Sequence, residues 1–137
     1  MHIIKLCAVG ALCQLVATTA LAQQPTTLTL ACKGTASEYR LPPYPNEDRS
    51  VSMGLIVNLT DRTVRGFEWP FDTDPLKITD VGDVEVIFGG DEEGGRGYSI
   101  IGRINRVTGD VWALTSFVQA GGIERYWLQC KPTQRMF

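Results

Sequence analysis

Apolar residues recur at every second position through most of this chain, and that period dictates what it can build. Leu28, Leu30 and Cys32 alternate with Thr27, Thr29 and Ala31. Val51, Met53, Leu55, Val57 and Leu59 alternate with smaller or polar residues. Val84, Val86 and Phe88 repeat the pattern, as do Tyr98, Ile100, Gly102 and Ile104, and Tyr126, Leu128 and Cys130 share one face near the end. Period two is the signature of strands with one buried face. No stretch beyond residue 22 holds a sustained i, i+3, i+4, i+7 apolar stripe, and Gly and β-branched residues interrupt the candidates. The pattern predicts eight strands, at 26–33, 51–59, 63–69, 76–80, 84–88, 98–105, 110–118 and 123–131.

The breaks between these runs carry turn chemistry. Thr60-Asp61-Arg62, Gly82-Asp83, Arg106-Val107-Thr108-Gly109 and Gly121-Gly122 are short links, with Gly109 placed where a positive φ is needed. Short links favour antiparallel neighbours, because a parallel pair needs a long crossover. The expected product is an all-β, up-and-down meander of about eight strands. Two connections read as long: 34–50, stiffened by Leu41-Pro42-Pro43-Tyr44-Pro45, and 89–97, an acidic and glycine-rich tip.

Residues 1–22 read as a signal peptide. Lys5 supplies the positive charge, Leu6 to Leu21 are mostly apolar, and Ala20-Leu21-Ala22 has the small-x-small form of a cleavage site. Gln14, Thr18 and Thr19 interrupt the stretch, which is unlike a span of about 20 apolar residues. Residues 23–137 then form one β-domain, periplasmic or secreted, from a bacterium. Cys7 and Cys13 leave with the leader, so Cys32 and Cys130 remain for an oxidising compartment, where a pair is normally joined. Both are in phase with apolar partners on the first and last strands. A disulfide usually holds its Cα atoms about 4.4–6.8 Å apart, so it brings those strands together. Closure also removes the two unpaired edges of a meander. A small barrel is the first expectation and a two-sheet sandwich the second.

Inventory narrows the function. The single histidine, His2, lies in the leader. Ser37, Ser50, Ser52, Ser99 and Ser116 have no imidazole to act as base. Zinc lacks ligands once both thiols are joined. The acidic turns break the Ca²⁺-loop template, since Asp72-Thr73-Asp74 runs into Pro75. No cofactor and no metal are expected, and no enzyme. Thirteen basic residues face fifteen acidic ones, which argues against a nucleic-acid partner. Lys131, Thr133 and Arg135 make the terminal alternation polar, so no stable membrane insertion is expected after cleavage.

Three motifs carry a resemblance. Leu30-x-Cys32-x-Gly34, Ile104-x-Arg106-x-Thr108-Gly109 and Leu128-x-Cys130-x-Pro132 resemble the pattern of a group of small exported bacterial proteins of uncharacterised function. It implies an exported β-domain with one disulfide, and it transfers no catalytic residue. Gly94-Gly95-Arg96-Gly97-Tyr98 is similar, more weakly, to the inhibitory loop of periplasmic C-type lysozyme inhibitors. The serine of that loop is missing, and a glycine separates Arg96 from Tyr98. Gly89-Gly90-Asp91-Glu92-Glu93 has the letters of the cyclic-dinucleotide synthase signature. Those domains are larger, cytosolic and α/β.

Aromatic residues are the remaining clue. Phe67 and Trp69 share a face, Trp112 is in phase with Leu114, and Trp127 lies opposite the Tyr126–Leu128–Cys130 face. The expected role is a non-catalytic binding module for a protein or small ligand. Its candidate surface is Trp69, Arg96, Tyr98, Trp112 and Trp127, with loops 34–50 and 89–97. A structural envelope protein with no discrete ligand, or a lysozyme-inhibitor-like protein, are the alternatives.

Overall fold

A computed structural model describes residues 26–68, 71, 74–91, 97–117 and 121–133. The expected leader, Trp69 and Arg96 lie outside the described residues. The strands are β1 (Thr27–Arg40), β2 (Glu47–Asn58), β3 (Thr63–Arg65), β4 (Leu76–Val81), β5 (Glu85–Asp91), β6 (Tyr98–Asn105), β7 (Asp110–Phe117) and β8 (Gly122–Pro132). Each pairs antiparallel with the next, and β1 pairs with β8, so the sheet closes into a barrel rather than a sandwich.

Closure is drawn tight where the cysteine phase placed it. Cys32 and Cys130 are direct register partners across β1 and β8 and form a disulfide, with Cα atoms 4.0 Å apart. Ninety-eight residues separate them in sequence. A loop near 100 residues removes up to about 4.7 kcal/mol of chain entropy from the unfolded state. Both are almost fully buried, which puts the bond inside the wall of the barrel.

The inward phase is the one the alternation predicts at Leu55, Val57, Phe88 and Ile100, and Val64, Val111 and Ala113 are buried with them. Phe88 faces Gly102 across β5 and β6, and a Cβ at Gly102 would collide with its ring. The missing side chain is therefore what admits the ring to the interior, an alternation of large and small across facing positions. Burying a side chain of this size contributes about 1.5–3 kcal/mol.

Three expectations are corrected. Segment 34–50 is not a long unpaired connection. The β1–β2 register runs on through Thr35↔Ser50 to Glu38↔Glu47, and β8 covers the other edge of β1 as far as Gly122. With both backbone edges satisfied, a polar run extends as strand despite its composition. The prolines are confined to the turn between Arg40 and Glu47, which contains a cis Pro42–Pro43 bond. The strand expected at 63–69 ends at Arg65. Gly66 takes φ 115°, and a Cβ there would run into the Gly54 carbonyl oxygen, so the chain turns inward instead. Phe67 then enters the barrel, with its ring 5.4 Å from Phe88 and 5.6 Å from Tyr126. Finally, β5 continues to Asp91, so the expected 89–97 tip begins as paired strand, opposite Ser99, Ile100 and Ile101.

The turns follow their residues. Gly109 has φ 79°, and the Asn105 side-chain oxygen accepts hydrogen bonds from the Val107 and Thr108 amides, both at 2.9 Å. Asn58 caps the β2–β3 turn, accepting from the Asp61 amide at 2.9 Å and donating to its carboxylate at 2.8 Å.

One end of the barrel carries a polar network. Glu124 is 8% exposed. Its carboxylate accepts from the Tyr126 hydroxyl at 2.6 Å and from Arg49 Nη2 at 2.8 Å. Arg49 also donates to Glu68 at 2.8 Å, which ties the segment after β3 to the wall. Burial, and then the bond to Glu124, push the Tyr126 hydroxyl well above its ordinary pKa. Burial opposes the Arg49 charge, but its bonds to Glu124 and Glu68 prevail and hold its pKa above the usual value.

Candidate functional site

The outer surface of the barrel holds the other aromatic set. Outward residues of neighbouring strands form rows across the sheet, because register pairs point the same way. One such row runs Ile87, Arg103, Trp112, Trp127, Thr35 over β5, β6, β7, β8 and β1. Trp127 is 53% exposed, and Trp112 is partly covered. Their rings meet edge-on, with centroids 6.4 Å apart and planes at 66°. The Arg103 guanidinium sits 5.7 Å from the Trp112 ring centroid, within cation–π range. Next to this row lie Ile101, Leu114 and Arg125, and Arg125 in turn covers the Tyr39 ring at 5.5 Å.

On the other side of the tryptophans is a polar row: Glu85 opposite Asn105, then Asp110 opposite Gln129, and Lys33 beyond it. Between the two rows runs an open groove of about 540 Å³. The β6–β7 turn stiffens its rim. Gln129 donates to the Thr108 carbonyl at 2.6 Å, and the Thr108 hydroxyl donates to Asp110 at 2.5 Å. The side chains of Lys33, Glu85 and Arg103 form no hydrogen bond or ion pair with another described residue, which leaves their charged ends directed at solvent.

A second recess, of about 450 Å³, opens at the end of the barrel opposite Glu124. Leu28, Leu30, Val57, Leu59, Val86 and Ile104 line it beneath the β6–β7 turn. These side chains belong to the core or pack on it.

The structure divides the candidate surface predicted from sequence. Trp112 and Trp127 come together. Tyr98 does not join them: it is in the inward phase of β6, packs on the core and meets Phe117 edge-on at 5.6 Å. Trp69 and Arg96 lie outside the described residues. Of the two expected binding loops, 34–50 is mostly strand, and 92–96 lies outside the described residues. Arg103 and the polar row were missed. The signal for Arg103 was present, since counting back from the turn around Gly109 places it opposite Trp112. The Glu124–Arg49 pair had a partial signal in the acid that shares a phase with Tyr126. Among the described residues no group of three or more potential metal-ligating side chains occurs, and no helix is long and apolar enough to cross a membrane.

Comparison of the chain with known proteins returns no matching family model, no matching curated protein and no matching solved structure. The architecture of the barrel and its disulfide therefore rest on the chain's own residues.

Proposed function

We propose that this protein is an exported, non-catalytic binding module that recognises a ligand or protein through the outer β6–β7–β8–β1 face. One observation carries the reading: two tryptophans and an arginine without an ion-pair partner among the described residues stand in one outward row of a barrel whose interior is already filled by other aromatics. Large aromatic and arginine side chains are enriched where proteins hold partners. The sheet beneath them is closed and cross-linked, so such a face is pre-organised and loses little freedom on binding. Export is supported by the leader-like residues 1–22 and by the Cys32–Cys130 bond, which is compatible with an oxidising compartment. Lys33, Thr35 and Ser37 on the outer face of β1, with Ser50 and Ser52 on β2, favour water over lipid around this wall.

The test compares two immobilised proteins purified from the bacterial envelope, the native chain and the Trp112→Ala/Trp127→Ala variant. Each is exposed to envelope extract, with protein and small-molecule eluates analysed by mass spectrometry. A species retained by the native chain and lost from the variant is the expected result. Identical retention on both, or none on either, rejects the reading and favours a structural envelope role.

A further inference from the structure

The groove beside Trp127 has a chemistry that a sugar ring matches on both of its sides, and we infer that it takes a neutral oligosaccharide. This inference rests on the outer face being a binding surface. A pyranose presents a flat patch of C–H bonds on one face and a rim of hydroxyls around its edge. Each hydroxyl both donates and accepts. Trp127 offers the flat apolar surface, half exposed, with Trp112 turned 66° to it as a side wall. Glu85, the second Asp110 oxygen and the Gln129 amide oxygen supply acceptors, while Lys33 and the Asn105 amide nitrogen supply donors. These polar groups stand on consecutive strands, spaced by the inter-strand distance of about 4.8 Å. The row thus follows the groove at intervals comparable to the width of one sugar ring.

Charge decides between this ligand and its competitors. Two carboxylates, Glu85 and Asp110, balance the two cations Lys33 and Arg103 in the lining. A polyanion such as nucleic acid or an acidic glycan would meet a carboxylate for each cation it gained. An apolar partner would strand Lys33 and Glu85 without hydrogen bonds, at a cost of a few kcal/mol for each buried charge. A neutral polyhydroxyl chain satisfies both signs and leaves neither unpaired.

The native protein is titrated with cellotetraose, maltotetraose and chitotetraose, followed by calorimetry and by tryptophan fluorescence. At least one should bind saturably, with affinity little altered by added salt, because no net charge is neutralised. Trp127→Ala should weaken that binding at least tenfold, equivalent to about 1.4 kcal/mol, whereas Trp127→Phe should retain most of it. Thermal melting confirms that each variant is folded. Absence of saturable binding by all three sugars in the folded native protein overturns the inference, as does equal binding by Trp127→Ala. If the sugars fail while the native chain self-associates and Trp127→Ala is monomeric by sedimentation, the groove is an interface between two copies. The saccharide assignment then falls and the binding-surface reading survives.

Discussion

Tyr126 and Trp127 are consecutive residues of β8, yet the first is 3% exposed and the second 53%. Each belongs to an aromatic set with an arginine nearby. Inside, Tyr126 meets Phe67, and Arg49 stands 6.0 Å from its ring while bonding Glu124. Outside, Trp127 meets Trp112, and Arg103 lies over the latter with no carboxylate partner among the described residues. The inner set is satisfied by the fold: Arg49, Glu124 and Tyr126 bond one another, and the Phe67 and Tyr126 rings are buried. The outer set is not. Rings and a cation left in this state on a rigid wall are what a binding face offers, and the contrast lies only in the direction of a pleat.

That contrast can be broken by measuring stability on each face. Phe88→Ala, which empties the ring's place over Gly102, should cost about 3–5 kcal/mol in denaturant unfolding. A loss below about 1 kcal/mol would show the interior to be loosely filled. Replacing both Cys32 and Cys130 by Ser should cost about 2–5 kcal/mol, and treating the native chain with reductant should shift the denaturation midpoint the same way. An unchanged midpoint would mean that strand pairing alone closes the barrel. On the outer wall, Trp127→Ala should cost about 1–2 kcal/mol, less than Phe88→Ala, because about half of the Trp127 surface is already exposed. A cost equal to that of Phe88→Ala would make Trp127 a packing residue and remove the basis for the proposed surface.

The inner polar set adds a pH signature. The folded-state pKa of Tyr126 is raised above its unfolded value of about 10. Its contribution to stability is therefore complete below about pH 10 and is lost as pH climbs toward the folded-state value. Alkaline titration followed by tyrosine absorbance should show one phenol that ionises only on unfolding. In Tyr126→Phe that delayed ionisation should vanish, and the alkaline fall in stability should become shallower.

Much of this architecture was legible in the residue order, and the misses have specific causes. The bounds expected for β4, β6, β7 and β8 hold to within one residue at each end. β3 was overextended because Gly66 reads as an ordinary break, although the carbonyl of Gly54, twelve residues earlier in the chain, is what forbids a side chain there. The 34–40 segment looked like loop because its residues are polar; it is strand because β2 and β8 satisfy both of its edges. Tyr98 was assigned to the candidate surface although it shares the alternation of Ile100, Gly102 and Ile104, and the structure packs it on the core with that set.

The period of two, the turn residues and the phase of two cysteines already pointed to about eight antiparallel strands with the first and last joined by one disulfide, and the β1–β8 pairing decided for a barrel over a sandwich. Those features are local, or need only one long-range contact, so they can be read along the chain. The groove could not be. Lys33, Glu85, Arg103, Asp110 and Trp127 come from five strands, and they become neighbours only when the hydrogen-bond register of each pair aligns them in rows. Register is a property of strand pairs, and around a closed barrel every pair must agree with all the others.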